Sequence, residues 1–78
     1  MPVNLILYST SHCHLCEQAE SILRDISLLK IIVWSKEEIS DNPILLERYE
    51  TKIPVLKRVD CELEIAWPFT AQEILSMI

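Results

Sequence analysis

Apolar and polar positions alternate along this chain in blocks whose periods separate strands from helices. Val3 to Tyr8 is a short apolar run rich in strand formers, the pattern of a buried strand. Polar residues Ser9-Thr10-Ser11-His12 follow it as a loop, and Cys13 opens a helix. Leu15, Ala19, Ile22, Leu23 and Ile26 recur at helical spacing and predict its buried stripe; Glu17, Gln18, Glu20, Arg24 and Asp25 fall mostly on the other side. The helix should fade near Ser27 or Leu28. Lys30 to Trp34 reads as a second buried strand, because Ile31, Ile32 and Val33 are β-branched. A strand, a helix and a strand so closely spaced fit a parallel crossover, which is right-handed in nearly all sheets.

The second half changes character. Asn42 can cap a helix that has Pro43 at its first position. Ile44, Leu45 and Tyr49 supply its apolar side, and it should end near Glu50 or Thr51. Pro54 to Val59 and Glu62 to Trp67 read as two strands, the second with Leu63, Ile65 and Trp67 alternating against Glu62, Glu64 and Ala66. The short link Asp60-Cys61 makes them an antiparallel hairpin. Pro68 stops the last strand. Thr70 to Glu73 is a capping box, and Ile74, Leu75 and Ile78 form the inward side of a terminal helix. The predicted class is therefore α/β, with element order β-α-β-α-β-β-α, in a single domain over residues 1–78.

Length and composition narrow the functions. With 78 residues, half of them apolar, the chain has one small core. The net charge of −5 would repel a polyanion, so nucleic-acid binding is not expected. No apolar stretch is long enough to span a bilayer, and no basic segment precedes Leu5-Ile6-Leu7. The expectation is a cytoplasmic, monomeric protein without a membrane partner. Glycine is absent, so any left-handed backbone position must be filled by another residue, and Gly-rich phosphate loops are excluded.

Three cysteines remain to be explained. An odd count argues against a disulfide framework. Cys13 and Cys16, separated by His14 and Leu15, sit where a strand gives way to a helix. A thiol must ionise before it attacks a disulfide, and the unpaired N–H groups at a helix start favour the thiolate. Three residues on lies the same helix side, so Cys16 can reach the sulfur of Cys13. Cys13, nearer the loop, is the expected nucleophile; Cys16, one turn inside, is the expected resolver. His12 and His14 flank Cys13. They are read either as imidazoles that tune its acidity and meet substrate, or as exposed loop residues. His12, Cys13, His14 and Cys16 also have zinc-ligand chemistry. A structural zinc site normally joins two distant ligand pairs, and the third cysteine, Cys61, stands alone, so no resident metal is expected. A cluster shared between two chains through Cys13 is a further alternative.

These residues support a resemblance. A strand, Cys-x-x-Cys at a helix start, a second strand, then Ile53-Pro54 opening a hairpin is similar to the thioredoxin fold, and specifically to its small bacterial glutaredoxin-like branch. The resemblance runs from Leu5 to the terminal helix. It implies a four-stranded mixed sheet with three helices. It implies thiol–disulfide exchange through Cys13 and Cys16, in an enzyme or electron carrier that reduces protein disulfides or mixed disulfides. It implies a cis proline at Pro54 facing the cysteines, with the Ile53 backbone pairing with substrate as a short strand. Trp67, within a Trp-Pro-Phe stretch that also occurs in that branch, is a candidate substrate contact. Trp34, Trp67 and Phe69 are read either as an apolar rim to the groove or as core packing. The chain departs from many glutaredoxins at His14-Leu15, where they carry Pro-Tyr. It lacks the lysine they place shortly before the first cysteine. Trp67-Pro68-Phe69-Thr70 replaces the Gly-Gly and acidic residue that hold glutathione. Expected partners are a disulfide-containing protein or a low-molecular-weight thiol, with glutathione a candidate co-substrate and no cofactor. A non-catalytic binding module on the same fold is the other reading, and Cys61 is an exposed bystander or a regulatory thiol.

Overall fold

The computed structural model describes residues 2–78. Among them, four strands form one mixed sheet in the spatial order β2-β1-β3-β4. The strands are β1 (Val3–Ser9), β2 (Ile32–Glu38), β3 (Val55–Arg58) and β4 (Glu64–Ala66). The helices are α1 (His14–Ser27), α2 (Pro43–Tyr49) and α3 (Ala71–Met77), and a 3-10 turn covers Ile39–Asp41. β1 pairs with β2 in parallel and with β3 antiparallel, and β3 pairs with β4 antiparallel. The order and the mixed sheet are those expected.

Strand alternation divides the core into two layers. Leu5 and Leu7 of β1 join Leu56 of β3, Ala19, Leu23 and Ile26 of α1, and Ile74 and Met77 of α3. Ile6 and Tyr8, on the other side of β1, pack instead with Val55, Ile39 and Tyr49. This second cluster is smaller, because α2 covers this side where α1 and α3 together cover the other. Burial of the aliphatic chains on both sides is the dominant favourable contribution to folding. The helix ends are closed as the sequence requires. The Asn42 side chain accepts from the N–H groups of Ile44 and Leu45 at 3.0 and 3.4 Å. Thr70 and Glu73 form the reciprocal capping box.

Several details differ from the expected pattern. β2 starts at Ile32 rather than Lys30 and continues through the polar segment Ser35-Lys36-Glu37 to Glu38. It is an edge strand: Ile32 and Trp34 pack against the core, and the polar stretch 35–37 is held in its parallel register with β1 by backbone pairing. Ile31 therefore lies outside the strand and is 81% exposed. Leu15 is exposed on the first turn of α1, and Cys16 occupies the buried position in its place. Ile44 points to solvent while Tyr49 carries the burial of α2. Both hairpin strands are shorter than their apolar runs: Arg58 N–H donates to the Leu63 carbonyl at 2.8 Å and closes the link ahead of β4. Leu63 is exposed, and Met77 joins Ile74 as the buried residues of α3. The glycine-free chain fills its left-handed positions with His12 (φ 61°) and Glu62 (φ 58°). Among the described residues, no helix is long and apolar enough to cross a membrane.

Candidate active site

Register places the candidate site at one end of the sheet. β1 ends at Ser9, and the loop to Cys13 leaves from there. Tyr8 is opposite Val55 and Val55 is opposite Ala66. Pro54 and Trp67, each one residue beyond that row, therefore reach the same end as the loop. A hydrogen bond from the Trp67 N–H to the Pro54 carbonyl, at 3.0 Å, fixes the two segments to each other. A cleft lined by Val3, Lys30, Ile31, Ile32, Leu75 and Ile78 lies at the opposite end, away from the cysteines.

Cys13 is the cap residue of α1, with extended backbone (φ −98°, ψ 105°). Its carbonyl accepts from the Glu17 N–H at 3.2 Å, and its Sγ accepts from the Cys16 N–H at 3.1 Å. A sulfur thus takes the role that a serine or aspartate oxygen takes at an ordinary helix start. The N–H groups there are unpartnered within the helix and carry positive partial charge, so the same contact would stabilise a thiolate. Cys13 and Cys16 are joined as a disulfide, with Cα atoms 5.2 Å apart. Cys13 is half-buried, whereas Cys16 is only 2% exposed. Buried Ala19 and Leu23 continue the side of α1 that holds Cys16 in the core.

The histidines stand apart from the core. His12 is exposed, and its left-handed backbone turns the chain just before Cys13. His14 is exposed on the first turn of α1, with Nδ1 3.7 Å from Glu17 Oε2. This pair is too open to water to contribute more than a small stabilisation, at most about 1 kcal/mol.

Ile53 and Pro54 are joined by a cis peptide bond, as the resemblance implies, and Trp67 and Pro68 are joined by a second one. Pro54 is buried and Ile53 half-buried. The Ile53 N–H donates to the Tyr49 carbonyl at 3.1 Å, and the Lys52 N–H donates to the same oxygen at 2.8 Å. An incoming chain could therefore meet Ile53 through its carbonyl, not through its N–H. Tyr49 also stacks on Tyr8, with ring centroids 4.3 Å apart, and donates its hydroxyl to Glu64 of β4. Burial, followed by this hydrogen bond, pushes the Tyr49 hydroxyl up to about 12. Trp67 is half-buried and meets buried Phe69 edge-on at 5.1 Å; both belong to or pack against the main core. Trp34 packs there as well.

The same end of the sheet carries a group that the sequence pattern did not single out. Glu38 closes β2, level with Ser9. Its Oε1 accepts from the Ser11 N–H and Oγ at 3.0 and 3.2 Å, and its Oε2 accepts from the Ser40 N–H and Oγ at 3.2 and 3.0 Å. A bond from the Thr10 side chain, then those from Ser40 and Ser11, hold the Glu38 carboxyl down at about 2. The only sequence signal for it was a serine two residues after a glutamate ahead of a turn, a weak one. Cys61 is an exposed free thiol on the hairpin. Among the described residues, no group of three or more Cys, His, Asp or Glu side chains is placed to hold a metal ion.

With fold and cysteine geometry in place, comparison with known proteins decides the family. The family model of the Glutaredoxin-like domain (DUF836) matches residues 4–78. The chain belongs to this glutaredoxin-like family. Two solved structures are similar to it. One is the X-ray structure of a structural-genomics target protein from X. campestris, 30% identical, with 94% of this chain and 92% of that chain covered and a TM-score of 0.82. The other is the solution NMR structure of a protein from Nitrosomonas europaea, 25% identical, with 100% of this chain and 93% of that chain covered and a TM-score of 0.88. Both support the thioredoxin-like architecture. No curated protein matches the chain. A glutaredoxin-like fold with Cys13 and Cys16 at disulfide distance is an arrangement suited to redox function.

Proposed function

We propose that this glutaredoxin-like protein is a thiol–disulfide oxidoreductase, with Cys13 as nucleophile and Cys16 as resolving thiol. The observation that carries this reading is the asymmetry of the pair. Cys13 caps α1, within reach of solvent and of a backbone N–H, while Cys16 is buried one turn inside.

In the reduced protein, the Cys13 thiolate attacks one sulfur of a substrate disulfide. A new sulfur–sulfur bond forms to Cys13, and the other substrate sulfur leaves as a thiolate that takes up a proton. Cys16, losing its proton, attacks the Cys13 sulfur and expels the second substrate thiol. The two electrons come from the Cys13–Cys16 dithiol, which ends as the disulfide. Two external thiols restore the dithiol and leave as their own disulfide. His12 and His14 line the approach to Cys13, and Ile53 offers its carbonyl to an extended substrate beside Pro54 and Trp67. The partner is a disulfide-containing protein or a mixed disulfide with a low-molecular-weight thiol, and glutathione is the candidate reductant. The site of action proposed is the cytoplasm, where a thiol pool can reset the pair.

A redox titration of Cys13–Cys16 in glutathione buffers, read by mass spectrometry, tests this. The expected result is reversible interconversion of dithiol and disulfide, with a glutathione adduct confined to Cys13. A pair that stays in one state across the whole buffer range would overturn the proposal.

A further inference from the structure

Glu38 is where the candidate site reaches beyond its own motif. It lies at the end of β2, far from Cys13 in sequence, yet its carboxylate ties the 3-10 turn that it caps to the nucleophile's loop. One oxygen holds Ser11 and the other holds Ser40. Bonds to an ionised acceptor are stronger than neutral ones. Ser11 is two residues before Cys13, and the residue between them is His12, whose left-handed backbone is costly for any side chain bearing a Cβ. Such a conformation persists only when both sides are held. Cys13 is held by the start of α1, and Ser11 is held by Glu38.

We infer that Glu38 is a positioning residue for the proposed thiol–disulfide exchange: by clamping Ser11 it fixes the His12 turn and aims the Cys13 sulfur at the N–H groups of α1. Glu38 does not touch the reacting sulfurs in this role; it acts through the loop. The inference rests on the reading of Cys13 as nucleophile. The lowered pKa of the carboxyl agrees with it, because the clamp stays ionised wherever a thiolate is needed.

Charge and position predict opposite effects, which makes the inference testable. Removing a nearby anion would by itself favour the Cys13 thiolate and speed its reactions. Releasing the loop would withdraw the sulfur from the helix start and slow them. The test measures iodoacetamide alkylation of Cys13 in the reduced protein at several pH values, located by mass spectrometry, for Glu38→Gln, Glu38→Asp, Glu38→Ala and Ser11→Ala. This readout needs no partner or turnover. Asp keeps the charge but is too short to span both serines; Gln keeps the length but loses an acceptor.

The expected result is a rise of about one unit in the Cys13 thiol pKa for Glu38→Ala and Glu38→Asp, with alkylation at mildly acidic pH about tenfold slower. Glu38→Gln and Ser11→Ala should fall between these and the parent chain. Alkylation rates within twofold of the parent, or faster, in the folded Glu38→Gln, Glu38→Asp and Ser11→Ala variants would overturn the inference, including where Glu38→Ala fails to fold. If the parent pair does not cycle in the redox titration, the proposed exchange fails; the alkylation series still decides whether Glu38 orders the loop.

Discussion

Cys16 is 2% exposed although its Cα lies 5.2 Å from that of the half-buried Cys13. One helical turn thus separates a half-buried cysteine from one sealed in the core, the asymmetry on which the proposed exchange depends. Cys13→Ser is expected to abolish disulfide reduction. Cys16→Ser is expected to leave the first attack and trap a mixed disulfide on Cys13, detectable as a mass adduct on non-reducing analysis. Full turnover by the Cys13 variant would remove the assignment.

The core that carries this turn is small, so its aliphatic residues matter individually. Leu56 of β3 is fully buried between the main helices and β1. Leu56→Ala should cost about 2–5 kcal/mol, a large share of the roughly 4–12 kcal/mol expected for a chain of this length. Urea unfolding should show a midpoint sharply lower than that of the parent chain, or no folded baseline at all.

How much of this was legible in the chain depends on what each element answers to. Burial on alternate or helical positions marks β1, α1 and α3, and capping chemistry at Asn42 and Thr70 marks the starts of α2 and α3; all of these appear where expected. β2 was misplaced because its C-terminal half is polar. Ser35, Lys36 and Glu37 are strand residues only because β1 offers them backbone partners, a tertiary cause that leaves no hydrophobic signature. Leu15 and Ile44 follow the helical period yet face water, since a period says which positions share a side but not where that side stops being covered. At the candidate site, Cys13, Cys16 and the cis bond before Pro54 stood out through spacing and resemblance. Glu38 and the Tyr49 carbonyl did not, because hydrogen bonds between segments distant in sequence depend on the fold that brings them together.

Tyr49 ties α2 to β4 through its hydroxyl and to the Ile53 segment through its carbonyl. Tyr49→Phe keeps the ring and its stacking on Tyr8 but leaves Glu64 without this donor. The expected loss is about 1–3 kcal/mol at neutral pH, since the acceptor is a carboxylate. The pH dependence has a definite sign. The folded-state value is raised from 10.0 to about 12, so the neutral hydroxyl's contribution is fully present below 10 and is lost as pH rises through about 12. Urea midpoints measured between pH 9 and 12 should fall more steeply for the parent chain than for Tyr49→Phe. Equal slopes would show that the Tyr49 hydroxyl titrates as it does in the unfolded chain.

Glu38 gives the mirror-image behaviour in acid. Its carboxyl is lowered from 4.5 to about 2, first by the bond from Thr10 and then by those from Ser40 and Ser11. The folded chain therefore binds fewer protons here than the unfolded chain between those values. The clamp's contribution is fully present above about 4.5 and is lost as pH falls through about 2. Because the group is open to solvent, salt should reduce the charge-dependent part of the effect. Glu38→Gln removes the titration while keeping the length of the side chain. Thermal unfolding followed by circular dichroism between pH 5 and pH 2 should thus show less acid sensitivity in the variant than in the parent, the two curves converging as pH falls. Parallel curves across that range would mean that the bonds from Ser11 and Ser40 persist without the charge, and that the acid sensitivity of the fold arises at other carboxylates.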